Sequence, residues 1–477
     1  MSAISKRFKE YEQRLKECRQ EHLLAFWDEL DQGRRAELLN DLDQIDFERC
    51  QVLIDSLVLR RPNLTMPDRL AAPPTFPAEP GPEQRNLYRR AGKIGADAIH
   101  AGKVAAFTVA GGQGTRLGYD GPKGGFPISP VRSACLFQLF AEYLQGTERR
   151  FGRRPRWYIM TSPANHAATL EIFDQQGYFG LSREDVVFFP QGQMPAFLPD
   201  GRIALAEKHR VALSPDGHGG SLQALARSGA LEDMRARGIE HISYFQVDNP
   251  LVKVVDPLFV GLHIETASEM SSKAVTKAHD LERVGNFCRA DGTLRVIEYS
   301  DLPEELAHAR NPDGTRRFDA GSIAIHVLLR SFVERITRVG AAEQLPWHRA
   351  DKKAAIVDAS GNTVTPAKPN VVKLETFVFD AIPLAKNPLV LYTRREEEFS
   401  PVKNAEGADS PATTRRDLVR RAARWLEACG CRVPRDSHGE PDLPLEISPA
   451  FALDAEDLRE RLVAPPELKA GQALLLV

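Results

Sequence analysis

The chain has 477 residues, 42% hydrophobic and 27% charged, a balance that suits a folded globular protein and excludes a disordered one. That length has room for about two to four domains. The formal net charge of −2 gives no global electrostatic reason to bind nucleic acid or an anionic membrane. The opening stretch MSAISKRFKEYEQRLKE is charged throughout, unlike a secretory signal, and no run approaches the ~18–20 apolar residues of a membrane span. The six cysteines are scattered, and Cys429 and Cys431 enclose a single residue, so we expect reduced thiols in a cytoplasmic protein and no cysteine-bound metal.

In chain order, residues 1–61 read as helices. Ile4, Phe8, Tyr11, Leu15 and Cys18 recur at three- and four-residue spacing, and a second apolar cluster runs from Leu38 to Leu59. Seven prolines between Pro62 and Pro82 then predict an extended surface connector, with neither a continuous helix nor a central strand. A short helix is expected around Leu87–Ile99. From Lys103 the texture changes: short apolar runs at 104–110, 156–162, 185–191, 241–249 and 322–329 read as buried strands, with helical patterns between them. The alternation predicts an α/β fold with a mostly parallel, Rossmann-like sheet and a ligand crevice at the carboxyl ends of its strands. We therefore expect an N-terminal helical segment with its connector (1–100), a catalytic α/β domain (101–404) and a small C-terminal module (405–477).

The most informative segment is VAGGQGTRLGYDGPKGGFP, residues 109–127, which carries seven glycines and the cations Arg116 and Lys123 directly after a predicted buried strand. Glycine lets backbone approach a ligand closely and turn consecutive N–H groups into one concavity, which suits phosphate. Two better-known phosphate loops are excluded. A dinucleotide fingerprint read from Gly112 needs glycine at 117, where Leu117 stands, and a P-loop needs Gly-Lys-Ser/Thr, whereas Lys123 lies between Pro122 and Gly124.

AGGQGTRLG followed by PKGG resembles the sugar-nucleotide pyrophosphorylases. WYIMTS (157–162), FFPQGQMPA (188–196), PDGHGG (215–220), QVDNPLVKVVDP (246–257), VIEYSDL (296–302), KPNVVKLETFVFD (368–380), REEEFSPVKN (395–404) and LEISP (445–449) follow in order. Together they resemble the eukaryotic-type UDP-N-acetylglucosamine pyrophosphorylase branch of the UTP–sugar-1-phosphate uridylyltransferases. The resemblance implies transfer of a uridylyl group from UTP to a sugar 1-phosphate with release of pyrophosphate, in the service of nucleotide-sugar biosynthesis. It also implies site residues. Lys123 and Lys373 would serve the UTP phosphates, Arg116 the leaving phosphates and Lys403 the sugar phosphate. Backbone at Val109, Ala110, Gly111, Gly112 and Gly114, with Gln191 and Gly217, would hold the nucleotide. Glu298 and Tyr299 would clamp sugar hydroxyls. Asp248, at the end of a predicted strand, would bind Mg²⁺ together with the UTP phosphates, although an Asp before Asn249–Pro250 can equally be a turn residue.

Two positions depart from the branch's pattern. His218 stands where PDGNGG is usual, and Asp319-Ala320-Gly321-Ser322 stands where Asn-Ala-Gly-Asn is usual. Both lie near the sugar in the family. The first expected acceptor is N-acetylglucosamine 1-phosphate, with a glucose, galactose or broad-specificity enzyme as the alternative. A catalytically silent UDP-sugar-binding relative would be expected to lose one of Arg116, Lys123, Asp248, Lys373 and Lys403, and this chain keeps all five.

Overall fold

The computed structural model describes residues 3–61, 67, 69–338, 340 and 344–477. The chain divides into two compact units, one formed by 1–66, 191–221 and 345–378, the other by 67–190, 222–344 and 379–477. Of the segments expected from the sequence, the first helices therefore share a unit with two later stretches, while 85–100 and 405–477 belong to the other.

The first unit is built on helices Ala3–Glu17, Gln32–Asp43 and Phe47–Leu53. Asp31 and Asp46 cap the second and third by accepting the backbone N–H of Arg34 and Arg49. Their apolar faces close over Met194, Phe197, Ile203, Val372 and Leu374, so the two later stretches supply one side of a single hydrophobic core. Strand Val371–Glu375 pairs antiparallel with His348–Lys352, placing Lys373 opposite Ala350. Val372 and Leu374 point into the core, and the strand's two-residue period turns Lys373 the other way.

The second unit is α/β around a ten-stranded sheet. We number its strands β1 (Leu70–Ala71), β2 (Val104–Val109), β3 (Trp157–Thr161), β4 (Val186–Pro190), β5 (His241–Gln246), β6 (Met270–Thr276), β7 (Asn286–Ala290), β8 (Thr293–Ile297), β9 (Ala320–Leu329) and β10 (Leu389–Tyr392). The run β4-β3-β2-β5 is parallel throughout. Beyond it β9 runs antiparallel to β5 and β6, and β7 with β8 forms a hairpin joined to β9 at Asn286–Gly321. β9 is buried along most of its length, and such a strand carries no alternation from which direction could be read.

Of the expected proline-rich connector, residues 62–66 and 68 lie outside the described residues. The remainder is extended and hydrogen-bonded to the sheet: β1 pairs with β7, and Phe76 bridges Leu391 of β10. Residues 405–477 carry their own apolar cluster around Trp425, Leu426, Leu445 and Leu458. They are tied to the segment leaving the glycine loop through Arg132. Its guanidinium donates to Glu142 at 2.9 Å and to Glu446 at 2.7 Å, while the Val131 and Arg132 N–H groups also donate to Glu446. The Ser448 hydroxyl donates to Glu142, so the LEISP block is a docking element of the fold.

Removing one partner of a buried ion pair leaves the other charge desolvated and unpaired, at a cost of about 3 kcal/mol or more. Glu446 is only 4% exposed, so Arg132→Ala should lower the urea unfolding free energy by roughly that amount. A midpoint within experimental error of wild type would show the contact to be dispensable.

Candidate active site

In the second unit the glycine loop leaves β2 at Val109, whose carbonyl accepts the Val247 N–H, and Ala110 donates to Met160 O. The loop folds on itself: Lys123 N–H donates to Gly112 O at 3.1 Å and Gly114 N–H to Gly121 O at 2.8 Å. Gly124 lies so close to Phe137 that a Cβ would sit 2.1 Å from the ring, which presses the backbone beside Lys123 onto the core. Gly112 and Arg116 are exposed, and Gly111 and Lys123 are half-buried.

Asn165, 1% exposed, pins this loop. Its Nδ2 donates to Ala110 O at 2.9 Å and Gly112 O at 3.2 Å, and its Oδ1 accepts from Ser162 N–H. Sequence reasoning missed it, because an Asn just before helix His166–Gln175 reads as an ordinary N-cap, and this side chain caps nothing.

At the carboxyl end of β5, Asp248 is half-buried, and its carbonyl accepts Val402 N–H at 2.8 Å. The next residue, Asn249, donates through Nδ2 to Glu398 O at 2.7 Å and accepts Ser400 N–H at 3.1 Å. These bonds zip 398–402 onto 248–249 and bring Lys403 to the strand end. The Lys403 N–H donates to Asp409 O at 2.7 Å, and its Nζ lies 3.8 Å from Asp409 Oδ2. Burial, with Asp248 and Glu282 nearby, pushes the Asp409 carboxyl up against the opposing pull of Lys403. Asp248 and Lys403 thus share one electrostatic neighbourhood. Among the described residues the Asp248 carboxylate makes no hydrogen bond or ion pair, and no cluster of three or more His, Cys, Asp or Glu could cage a metal. A lone available carboxylate fits Mg²⁺ shared with phosphate oxygens and does not fit an all-protein cage.

Glu298 and Tyr299 follow β8; Glu298 is half-buried and Tyr299 is 47% exposed. Gly285 organises this wall. Its carbonyl accepts Ser322 N–H at 2.8 Å, and a Cβ placed on it would lie 3.7 Å from both Glu298 Oε1 and Ser322 Cβ. The structure therefore brings Glu298 and Ser322 together, and with them Gly285, for which the sequence held no separate signal.

In the first unit, Gln191 is buried just before the strand pair Gln193–Pro195 and Leu213–Pro215, which leads into the PDGHGG turn. Gly217 has φ +84°, and a Cβ there would lie 2.3 Å from Thr376 O, so this turn closes against the end of the Lys373 strand only with glycine. His218 Nδ1 accepts Val378 N–H at 3.2 Å, with its ring near Phe377. Burial, and then the electrostatic influence of the neighbouring His348, pushes its pKa down to about 4.

A family model described as UTP–glucose-1-phosphate uridylyltransferase matches residues 82–426. This chain belongs to that family. It is 39% identical to human UDP-N-acetylhexosamine pyrophosphorylase-like protein 1 over 477 aligned residues, covering 93% of each chain. It is 36% identical to the UDP-N-acetylglucosamine pyrophosphorylase of Saccharomyces cerevisiae, over 93% of this chain and 95% of that one. The crystal structure of the Trypanosoma brucei uridine diphosphate N-acetylglucosamine pyrophosphorylase in complex with an inhibitor superposes with a TM-score of 0.82 at 28% identity, covering 100% of this chain and 98% of that one. No helix among the described residues is long and apolar enough to cross a membrane.

The state of His218 gives a pH signature. An unfolded imidazole titrates near 6.5, above the folded value of about 4, so the unfolded chain binds the extra proton first. The contact's contribution is complete above about pH 6.5 and is lost as pH falls toward the folded pKa. His218→Asn offers an amide oxygen to Val378 and does not titrate there. Its drop in thermal midpoint between about pH 7.5 and about pH 5 should be smaller than that of wild type. An equal drop would remove His218 as the source.

Proposed function

We propose that this chain transfers the uridylyl group of UTP to N-acetylglucosamine 1-phosphate, releasing pyrophosphate, with Mg²⁺ as cofactor and in the cytoplasm. Uridylyl transfer to a sugar 1-phosphate is the reaction of its family. The observation that carries the site reading is the zip between 248–249 and 398–402, which sets a carboxylate suited to a divalent cation beside a lysine suited to a phosphate. Unpaired thiols at all six cysteines suit the reducing cytoplasm.

An oxygen of the sugar phosphate attacks the α-phosphorus of UTP, and the bond from that phosphorus to the bridging oxygen breaks, so pyrophosphate departs with the electron pair. Positioning and charge neutralisation supply the rate. Lys403 holds the acceptor phosphate, Lys123 and Lys373 bind UTP phosphates, and Arg116, exposed on its turn, meets the leaving group. The loop backbone from Val109 to Gly114, with Gln191 and Gly217, takes the nucleotide. Asp248 would hold Mg²⁺, which when bound neutralises phosphate charge. Glu298, Tyr299 and Ser322 face the sugar.

Pyrophosphate release from UTP, measured across N-acetylglucosamine, N-acetylgalactosamine, glucose and galactose 1-phosphates, tests the acceptor. We expect the highest kcat/KM with N-acetylglucosamine 1-phosphate and measurable turnover of glucose or galactose 1-phosphate, because Ser322 is shorter than the asparagine usual there. Exclusive use of glucose 1-phosphate would overturn the assignment, and no release with any sugar would support a silent binding protein.

Asp248→Asn keeps the shape but removes the charge that holds a hard cation, so Mg²⁺-supported turnover should fall by about 10²-fold or more. An unchanged Mg²⁺ titration curve would make Asp248 a turn residue only.

A further inference from the structure

We infer that the ion pair between Arg395 and Glu282 is a positioning strut that sets the distance between the sugar-binding wall and the phosphate-binding lysine. The inference rests on the uridylyltransferase reading above. Two short segments of the second unit meet here. One is the turn from β6 to β7, which ends on Gly285, the residue backing Ser322 and Glu298. The other is 395–403, which ends on Lys403.

Arg395 Nη2 spans both oxygens of Glu282, at 2.7 and 2.9 Å, and also donates to Thr276 O at 3.3 Å, at the end of β6. Glu282 is rigid in turn: its Oε2 accepts Ala278 N–H at 2.6 Å, and its carbonyl accepts Val284 N–H next to Gly285. On the other side the Arg395 guanidinium lies 5.2 Å from the Phe399 ring centre, and Lys403 Nζ lies 5.7 Å from the same ring. An unbroken series of contacts therefore runs from the sugar wall through Glu282, Arg395 and Phe399 to Lys403.

The acceptor is one molecule whose sugar and phosphate must be held at once, so the span between the two anchors selects for its geometry. Displacing a reactant by about 1 Å can cost on the order of 10²-fold in rate. Arg395 is paired to Glu282, so its charge is spent on the strut and not offered to the phosphate. Arg395 is thus a positioning residue, acting through Glu282 and Phe399.

The test compares Glu282→Gln, Arg395→Gln, their double variant and Arg395→Lys in the full-length protein. Either Gln variant should raise KM for N-acetylglucosamine 1-phosphate about tenfold and leave KM for UTP within about twofold. Each should also narrow the preference for that sugar over glucose 1-phosphate. The double variant should lose no more than either single one, because both remove the same link. Arg395→Lys keeps one cation spanning both oxygens and should retain most of the wild-type KM. Arg395→Gln far more damaging than Glu282→Gln would mean that Arg395 touches substrate itself, and would overturn the strut. Equal changes in KM for both substrates with a lowered thermal midpoint would reduce the pair to a fold contact and overturn it too. A wild-type protein that turns over no sugar 1-phosphate overturns the uridylyltransferase reading, and the strut falls with it. An active wild type with unaltered variants overturns the strut alone.

Discussion

The side chain of Asn249 is 4% exposed and is spent wholly on backbone, donating to Glu398 O and accepting from Ser400 and Leu251. A buried amide left without partners costs about 1–3 kcal/mol for each group, so these bonds hold two distant stretches of chain in a single register. Beneath them lies Lys273, fully buried in β6, whose ammonium bonds to Glu398 and, at 2.6 Å, to Asp256. Asp256 in turn caps helix Pro257–Glu265 by accepting Leu258 N–H. A buried lysine between two carboxylates cannot lose either partner cheaply, which anchors 398–402 to the sheet. The backbone that carries Asp248 and the backbone that leads into Lys403 are therefore held together by the fold. Charges fixed before the reaction need no reorganisation during it, which is where electrostatic catalysis gains most.

The same economy recurs around the two glycine-rich turns. Asn165 holds Ala110 and Gly112 by their carbonyls, which fixes the path of the loop as it leaves β2. In the first unit Thr376 donates its N–H and hydroxyl to Asp216 O, and Gly219 N–H donates to Thr376 O, locking the PDGHGG turn to the strand that carries Lys373. In each place side chains or paired backbone fix a glycine-rich turn, and glycine keeps the path free of Cβ atoms where neighbours press closest.

Much of this was legible in the sequence, and the failures have physical reasons. The parallel run β4-β3-β2-β5 was readable because uncharged runs ending in glycine or polar residues leave few alternatives to a buried strand. The direction of β9 was not, since a strand buried on both faces has no alternation to betray its neighbours. Phe76 and Leu70–Ala71 carry no strand signal of their own, and their pairing with the sheet depends on partners more than 200 residues away in sequence. The first unit was hidden for the same reason: Phe197 and Val372 pack with Leu39 and Leu42, and no local pattern announces contacts of that span. Motif residues such as Lys123 and Lys403 stand out by their setting. Asn165, Asn249 and Glu282 do not, because each acts by what it bonds to, and those partners are distant or are anonymous backbone.

The two departures from the family pattern separate on these grounds. His218 has its Nδ1 engaged by Val378 N–H, a role that an asparagine side-chain oxygen could fill, so the exchange at this position preserves a backbone contact. Ser322 is different. Its backbone is fixed by Gly285, its side chain is half-buried beside Glu298, and it is shorter than asparagine, so the exchange there alters volume and donors without moving the wall. A pocket that gains room discriminates weakly, whereas one that leaves a polar group unpaired discriminates strongly. Under the proposed reading, selection between N-acetylated and plain hexose phosphates would act through the Ser322–Glu298 wall, whereas His218 is in the structure a latch on the Val378 backbone.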